Sequence, residues 1–121
     1  MTEMIDKELV PFIKAVTGKK ALDIVVLDVQ QLTSYTDYLI VATGTSTRQV
    51  SAIAEHIKKE TSEIKIKPLS IEGLKEGQWV LMDYGDIIIH LFVEETRMFY
   101  DIEGLWADAE NISIDSYIQE D

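Results

Sequence analysis

The sequence predicts one layered α/β (α+β) domain, a mixed β-sheet of about five strands flanked by helices. Three observations carry this expectation. A short apolar run, Tyr38 to Thr43, stops at Gly44 and gives way at once to an amphipathic helix. A second strand pair, Gln78 to Tyr84 and Asp86 to Val93, is joined closely enough for a tight antiparallel hairpin. Apolar residues at helical spacing occur near both ends of the 121-residue chain.

Along the chain, Ile5, Leu9, Phe12, Ile13 and Val16 predict a first helix ending near Gly18. Pro11 removes a hydrogen bond and crowds the preceding turn, so the helix either starts near Val10 or is kinked there. Leu22 to Val29 is almost continuously apolar and β-branched and reads as a strand covered on both faces. Gln30 to Thr36 is a polar connector. Tyr38 to Thr43 reads as a second strand covered on both faces, and Ser46-Thr47-Arg48-Gln49 after Gly44 fits a capping box. In that box the Ser46 hydroxyl takes the Gln49 amide and the Gln49 side chain returns to the Ser46 amide. Val50, Ile53, Ala54 and Ile57 then form the apolar stripe of a helix beginning near Thr47. Ile66 to Ile71, with Pro68, predicts a short edge strand. Phe99, Ile102 and Trp106 recur at helical spacing, with Gly104 as the weak point. The main domain is expected over residues 1–109, followed by an acidic C-terminal tail at 110–121 with the polarity of a disordered segment.

Composition excludes several classes of function. With 46% apolar residues the chain can build a core without a staple, and with no cysteine it has no disulfide, thiolate nucleophile or cysteine-ligated zinc. No N-terminal stretch has the layout of a signal peptide, and no apolar run approaches the roughly 20 residues that span a bilayer. A cytoplasmic location is expected, with no membrane partner. The net charge of −11 opposes binding to a phosphate backbone, so no direct nucleic-acid specificity is expected.

Motifs that carry chemistry are sparse. Gly44-Thr45-Ser46 offers free amides at a helix start, but there is no Walker lysine and no GxGxxG, which leaves capping as the stronger reading. Asp83, Asp86 and His90 lie near the hairpin end, yet alternation along strands does not oblige them to share a face. No nucleophile elbow or catalytic carboxylate pair is evident. No catalytic residue, cofactor-binding residue or metal ligand is assigned. In the hairpin, Trp79, Leu81 and Asp83 point one way and Val80, Met82 and Tyr84 the other. One of these faces is either interface or further core.

The ordered segments Ala21-Leu22-Asp23-Ile24, Leu27-Asp28-Val29, Thr36-Asp37-Tyr38, Ala42-Thr43-Gly44-Thr45-Ser46 and Arg48-Gln49-Val50 resemble the ribosomal silencing factor family RsfS, also called the Iojap family. Pro68-Leu69, Ile71-Glu72-Gly73, Trp79-Val80-Leu81, Asp83-Tyr84-Gly85-Asp86, His90, Glu95, Arg97, Phe99-Tyr100 and Leu105-Trp106 extend the likeness over approximately Lys7 to Ala109. The resemblance implies a nucleotidyltransferase-like topology without its catalytic site. It implies a non-enzymatic factor that binds the large-subunit ribosomal protein numbered fourteen (uL14) and sterically blocks subunit association, repressing translation under nutrient limitation. It also implies a homodimer when free. Trp79, Leu81, Asp83, Tyr84 and Asp86 are implied at or near the partner surface, whereas the segment after Ala109 departs from the shared pattern. The competing expectation is a divergent nucleotide-binding enzyme of nucleotidyltransferase type using the Gly44-Thr45-Ser46 turn.

Overall fold

Pro11 starts the first helix instead of breaking it. It stands in the opening turn of α1 (Val10–Thr17), where a missing amide costs nothing because no intrahelical acceptor exists for it. The computed structural model describes residues 7–115, so Ile5 lies outside the described residues. After α1 come β1 (Leu22–Asp28), β2 (Tyr38–Gly44), α2 (Thr47–Glu63), β3 (Ser70–Glu72), β4 (Trp79–Asp83), β5 (Ile87–Val93), α3 (Glu94–Tyr100), α4 (Ile102–Leu105) and β6 (Glu110–Ile112).

The strands form one mixed sheet in the order β3-β4-β5-β2-β1-β6. Parallel pairing joins β2 to β5, from Tyr38 opposite Ile87 to Gly44 opposite Val93. The other four pairings are antiparallel. Every residue of β2 is buried, as its apolar run predicts. The β4–β5 hairpin forms where expected, and an edge strand follows α2 as expected, although β3 starts at Ser70, past Pro68, rather than at Ile66.

On one face of the sheet α1 and α2 cover Val26, Ile40, Ala42, Val80, Met82, Ile89 and Leu91. The α2 stripe of Val50, Ile53, Ala54 and Ile57 is wholly inaccessible to water. On the other face a smaller core of Leu27, Val29, Leu39 and Ile88 receives Ile102 and Trp106 from the α4 segment. Burying both faces of the central strands removes their apolar surface from water at about 25 cal/mol per Å².

Four local expectations change. The sheet has six strands, because Glu110–Ile112, assigned above to the tail, pairs with Val26 to Asp28 and satisfies the open edge of β1. Beyond it Ile114 is buried against the main core. A three-residue edge strand with one inward side chain leaves little apolar pattern to read. Residues 116–121 of that tail lie outside the described residues.

The first half of β1 is not covered on both faces. An irregularity between Leu22 and Val25 puts one extra residue opposite β2, and the left-handed backbone of Asp23 turns Leu22 outward. At the start of α2, the Ser46 hydroxyl accepts the Gln49 amide at 3.1 Å as the capping box requires. The Gln49 carboxamide oxygen, however, takes the Thr45 amide and the Thr45 hydroxyl, one residue earlier than the box predicts.

The C-terminal helix is two helices. The break is at Asp101, whose left-handed φ of 46° ends α3 and whose carboxylate caps α4 by accepting the Gly104 amide at 3.2 Å. Gly104 belongs to that cap, since a Cβ there would lie 2.2 Å from the Asp101 carboxylate.

Gly44 closes the β2–α2 corner by size. A Cβ there would fall 2.8 Å from the buried Val50 side chain and 3.0 Å from its amide nitrogen. Val50 is stiff at χ1 and cannot swing aside. Gly44→Ala is therefore expected to lower stability by about 1–3 kcal/mol. Urea unfolding checks this as a lower midpoint at unchanged slope, and adding Val50→Ala should cost less in that background than in the original chain.

Candidate functional site

The pleat of β4 divides its side chains by face. Val80 and Met82 are buried beneath α1 and α2, whereas Trp79, Leu81 and Asp83 lie half-buried on the opposite side. Trp79 stands directly across from Phe92 of β5 and stacks on it at 5.1 Å between ring centroids. Tyr100, at the end of α3, closes on the same indole at 4.6 Å. Trp79 Nε1–H donates to His90 Nδ1 at 3.0 Å. An indole nitrogen only donates, so Nδ1 of this neutral histidine is the acceptor and its proton sits on Nε2. Burial pushes the His90 pKa down to about 4.

A buried cation holds the neighbouring cover in place. Arg97, on α3, donates through Nε and Nη2 to the two oxygens of Glu103 at 2.9 and 3.0 Å. Its Nη1 donates to the Thr43 hydroxyl of β2 at 2.7 Å. One planar guanidinium thus ties α3, α4 and the central sheet together, which the fork geometry of arginine allows and a lysine point charge does not.

Beside this clamp the chain leaves large apolar side chains in water. Phe99 is 80% exposed, Leu105 74% and Met98 72%, with Tyr100 also on the surface. The same stretch of chain is acidic, and Glu94, Glu95, Asp101, Asp108 and Glu110 are all exposed. Between Glu76 and Asp115 the only lysine or arginine is Arg97, which the clamp consumes. An apolar ledge on an acidic stretch of chain has the composition of a site for a basic protein surface.

Of the five residues implied as partner-binding, the structure brings Trp79, Leu81 and Asp83 to one face. Tyr84 and Asp86 do not join them. Tyr84 turns to the α1–α2 side, where it meets Phe12 edge-on at 4.7 Å and its hydroxyl pairs with that of Thr61 at 2.9 Å. Burial raises its pKa, and the Thr61 hydrogen bond partly offsets the shift. Asp86 is exposed in the hairpin turn, and its backbone carbonyl accepts the Asp37 and Tyr38 amides. Both residues line a cleft of about 440 Å³ against Pro11, Phe12, Ile66 and Ile87. The resemblance implied all five at or near one surface, and the alternation along β4, which already points Tyr84 away from Trp79, parts them.

Asp83 also shapes the turn, its carboxylate accepting the Gly85 amide at 2.8 Å. Among the described residues no three His, Asp or Glu side chains gather around a common point that could hold a metal ion. At the Gly44-Thr45-Ser46 turn the Thr45 and Gln49 amides are taken by side chains. The Gly73–Gly77 loop packs over the first turn of α2, where the Ser51 hydroxyl donates to the Leu74 carbonyl at 2.7 Å.

The sequence assigns Met98, Phe99 and Leu105 to no surface and groups Phe99 with Ile102 and Trp106 at helical spacing. The structure keeps Ile102 and Trp106 inside and puts Phe99 outside. A signal was present in Met98-Phe99-Tyr100. Successive helical residues point about 100° apart, so three large apolar side chains in a row cannot all face one core.

Residues 2–121 match a family model described as "Ribosomal silencing factor during starvation". The match runs past Ala109, so the segment set apart in the sequence lies within the family pattern. The Bacillus subtilis protein named ribosomal silencing factor RsfS is 39% identical over 101 residues, covering 84% of this chain and 86% of its own. A mouse protein named mitochondrial assembly of ribosomal large subunit protein 1 is 36% identical over 91 residues, which are 73% of this chain and 40% of that one. A crystal structure of a Chromobacterium violaceum protein matches with a TM-score of 0.80 at 38% identity, covering 86% of this chain and 88% of that one.

Replacing Arg97 with Met strands Glu103 and the Thr43 hydroxyl, and is expected to cost about 2 kcal/mol in chemical denaturation, since Glu103 is partly solvated. The His90 shift gives a pH dependence of defined sign. The unfolded histidine protonates near its ordinary 6.5 and the folded one near 4, so the unfolded state binds more protons between those values. This contribution is fully present above 6.5 and is lost as pH falls toward 4, by roughly 3 kcal/mol at the limit. Urea titrations across that window should show a shallower decline for His90→Phe than for the original chain.

Proposed function

Because the chain belongs to the ribosomal silencing factor family, we propose that it binds uL14 on the large ribosomal subunit and by its bulk keeps the small subunit from joining. The observation that carries this reading is the exposed Met98, Phe99, Tyr100 and Leu105 ledge, on an acidic stretch of chain, beside half-buried Trp79. Aromatic anchors in a partly desolvated setting supply most of the affinity in protein interfaces, while rim charges chiefly set encounter rate and orientation. Trp79, Leu81 and the ledge form the centre of the proposed contact. Asp83 stands at its rim, whereas Tyr84 acts only through the fold and Asp86 lies apart from the contact, in the hairpin turn.

The proposed action is steric and involves no catalytic step. It takes place in the cytoplasm, where binding lowers subunit joining and hence translation when nutrients are limiting. In isolation the chain is proposed to form a homodimer that shelters apolar surface between two copies.

Co-sedimentation with separated ribosomal subunits tests the proposal. The chain should pellet with large subunits alone, bind purified uL14, and do so less tightly as salt rises. Phe99→Asp and Trp79→Ala should each weaken binding by at least about tenfold, and Phe99→Asp should do so without loss of stability because the side chain is exposed. Wild-type protein that ignores large subunits, or variants that bind and block subunit joining as well as wild type, would refute the assignment.

A further inference from the structure

We propose that His90 is a positioning residue for partner binding: it fixes the indole of Trp79 in the orientation that the partner meets. The inference rests on the proposed binding face and adds a buried residue that touches no partner.

A half-exposed indole normally satisfies its N–H with water and keeps its freedom to reorient. Here the N–H is spent inside the protein, on an acceptor buried on a central strand. His90 lies on the buried strand β5, opposite Leu81 on one neighbour and Val41 on the other. Stacking on Phe92 and Tyr100 holds the ring in its layer but does not choose which edge faces inward, because such contacts tolerate rotation of the ring. The directional bond to Nδ1 makes that choice. With the polar edge turned toward β5, carbon is what remains of the ring to meet a partner.

The residue type fits the task. A neutral imidazole supplies one acceptor in a flat side chain that itself stacks on Phe92, with the two ring planes within 7° of parallel. Burial keeps it neutral through the ordinary pH range, so the acceptor is always available. A ring ordered before binding loses less freedom when the partner arrives.

The test is a double-mutant cycle on large-subunit binding. His90→Phe keeps an aromatic ring and removes the acceptor. It should weaken binding about fivefold when Trp79 is present and less than about twofold in the Trp79→Phe background. In the free protein, the Trp79 indole N–H resonance should shift and exchange faster in His90→Phe, while that of Trp106 stays put. His90→Gln returns an acceptor on a differently shaped side chain and should recover affinity and the protected indole signal; it also carries the test if His90→Phe fails to fold.

Equal losses in both backgrounds, or a glutamine variant as weak as the phenylalanine one, would show that His90 serves only packing and overturn the inference. Wild-type protein that fails to bind large subunits would overturn the proposed function and this inference with it.

Discussion

Two neighbouring strands with no water-facing side, β2 and β5, impose the terms that the rest of the molecule meets. Their side chains point alternately to two faces, and nearly all are buried on both. A parallel pair also cannot be closed by a short turn, so the chain between them must travel. It does so through α2, β3 and β4, and that excursion supplies the helix that covers one face. The other face is left for whatever follows β5, and the α3–α4 segment takes that place.

The second cover is short, and this brevity creates the surface. α3 and α4 together can shield Leu27, Leu39 and Ile88 only by spending Ile102 and Trp106 inward. Their remaining apolar residues, Met98, Phe99 and Leu105, find no place in the core and face water, with Phe99 meeting the Tyr100 ring edge-on. Few apolar contacts hold so short a segment, and the Arg97 bridge to Glu103 and Thr43 supplies what packing does not. Exposure of the ledge and anchorage of its base are therefore two sides of one arrangement. At the margin of this cover, where Tyr100 of α3 meets it, the same face of β4 shows Trp79 half-buried, which explains why an aromatic anchor and an apolar ledge adjoin.

Much of the architecture was legible in the residues. Gly44, Ser46 and the Val50-to-Ile57 stripe locate a strand, corner and helix because size, cap and periodicity are local properties. The hairpin from Trp79 to Val93 was legible for the same reason, as was the alternation that divides Trp79 from Val80. Less legible were features whose causes lie far along the chain. The strand at Glu110–Ile112 exists because β1 offers it an edge, and its own residues carry almost no strand pattern. The break at Asp101 hid behind Gly104, the residue that sequence rules single out, although Gly104 serves the cap that Asp101 makes.

By itself the sequence determined the class of fold, the absence of thiol chemistry, the acidic character, and a family likeness carried by ordered local motifs. These follow from residue identity and from spacings of a few positions, which short-range sterics and periodic burial convert directly into structure. Tertiary structure alone decided which side chains share a surface. It set Asp86 apart from Trp79, turned Phe99 outward, joined the Trp79 indole to His90, and tied Arg97 to Glu103 and Thr43. The reason is geometric: alternation along a strand records the pleat, but which strand lies beside it and which cover each face receives depend on contacts far along the chain.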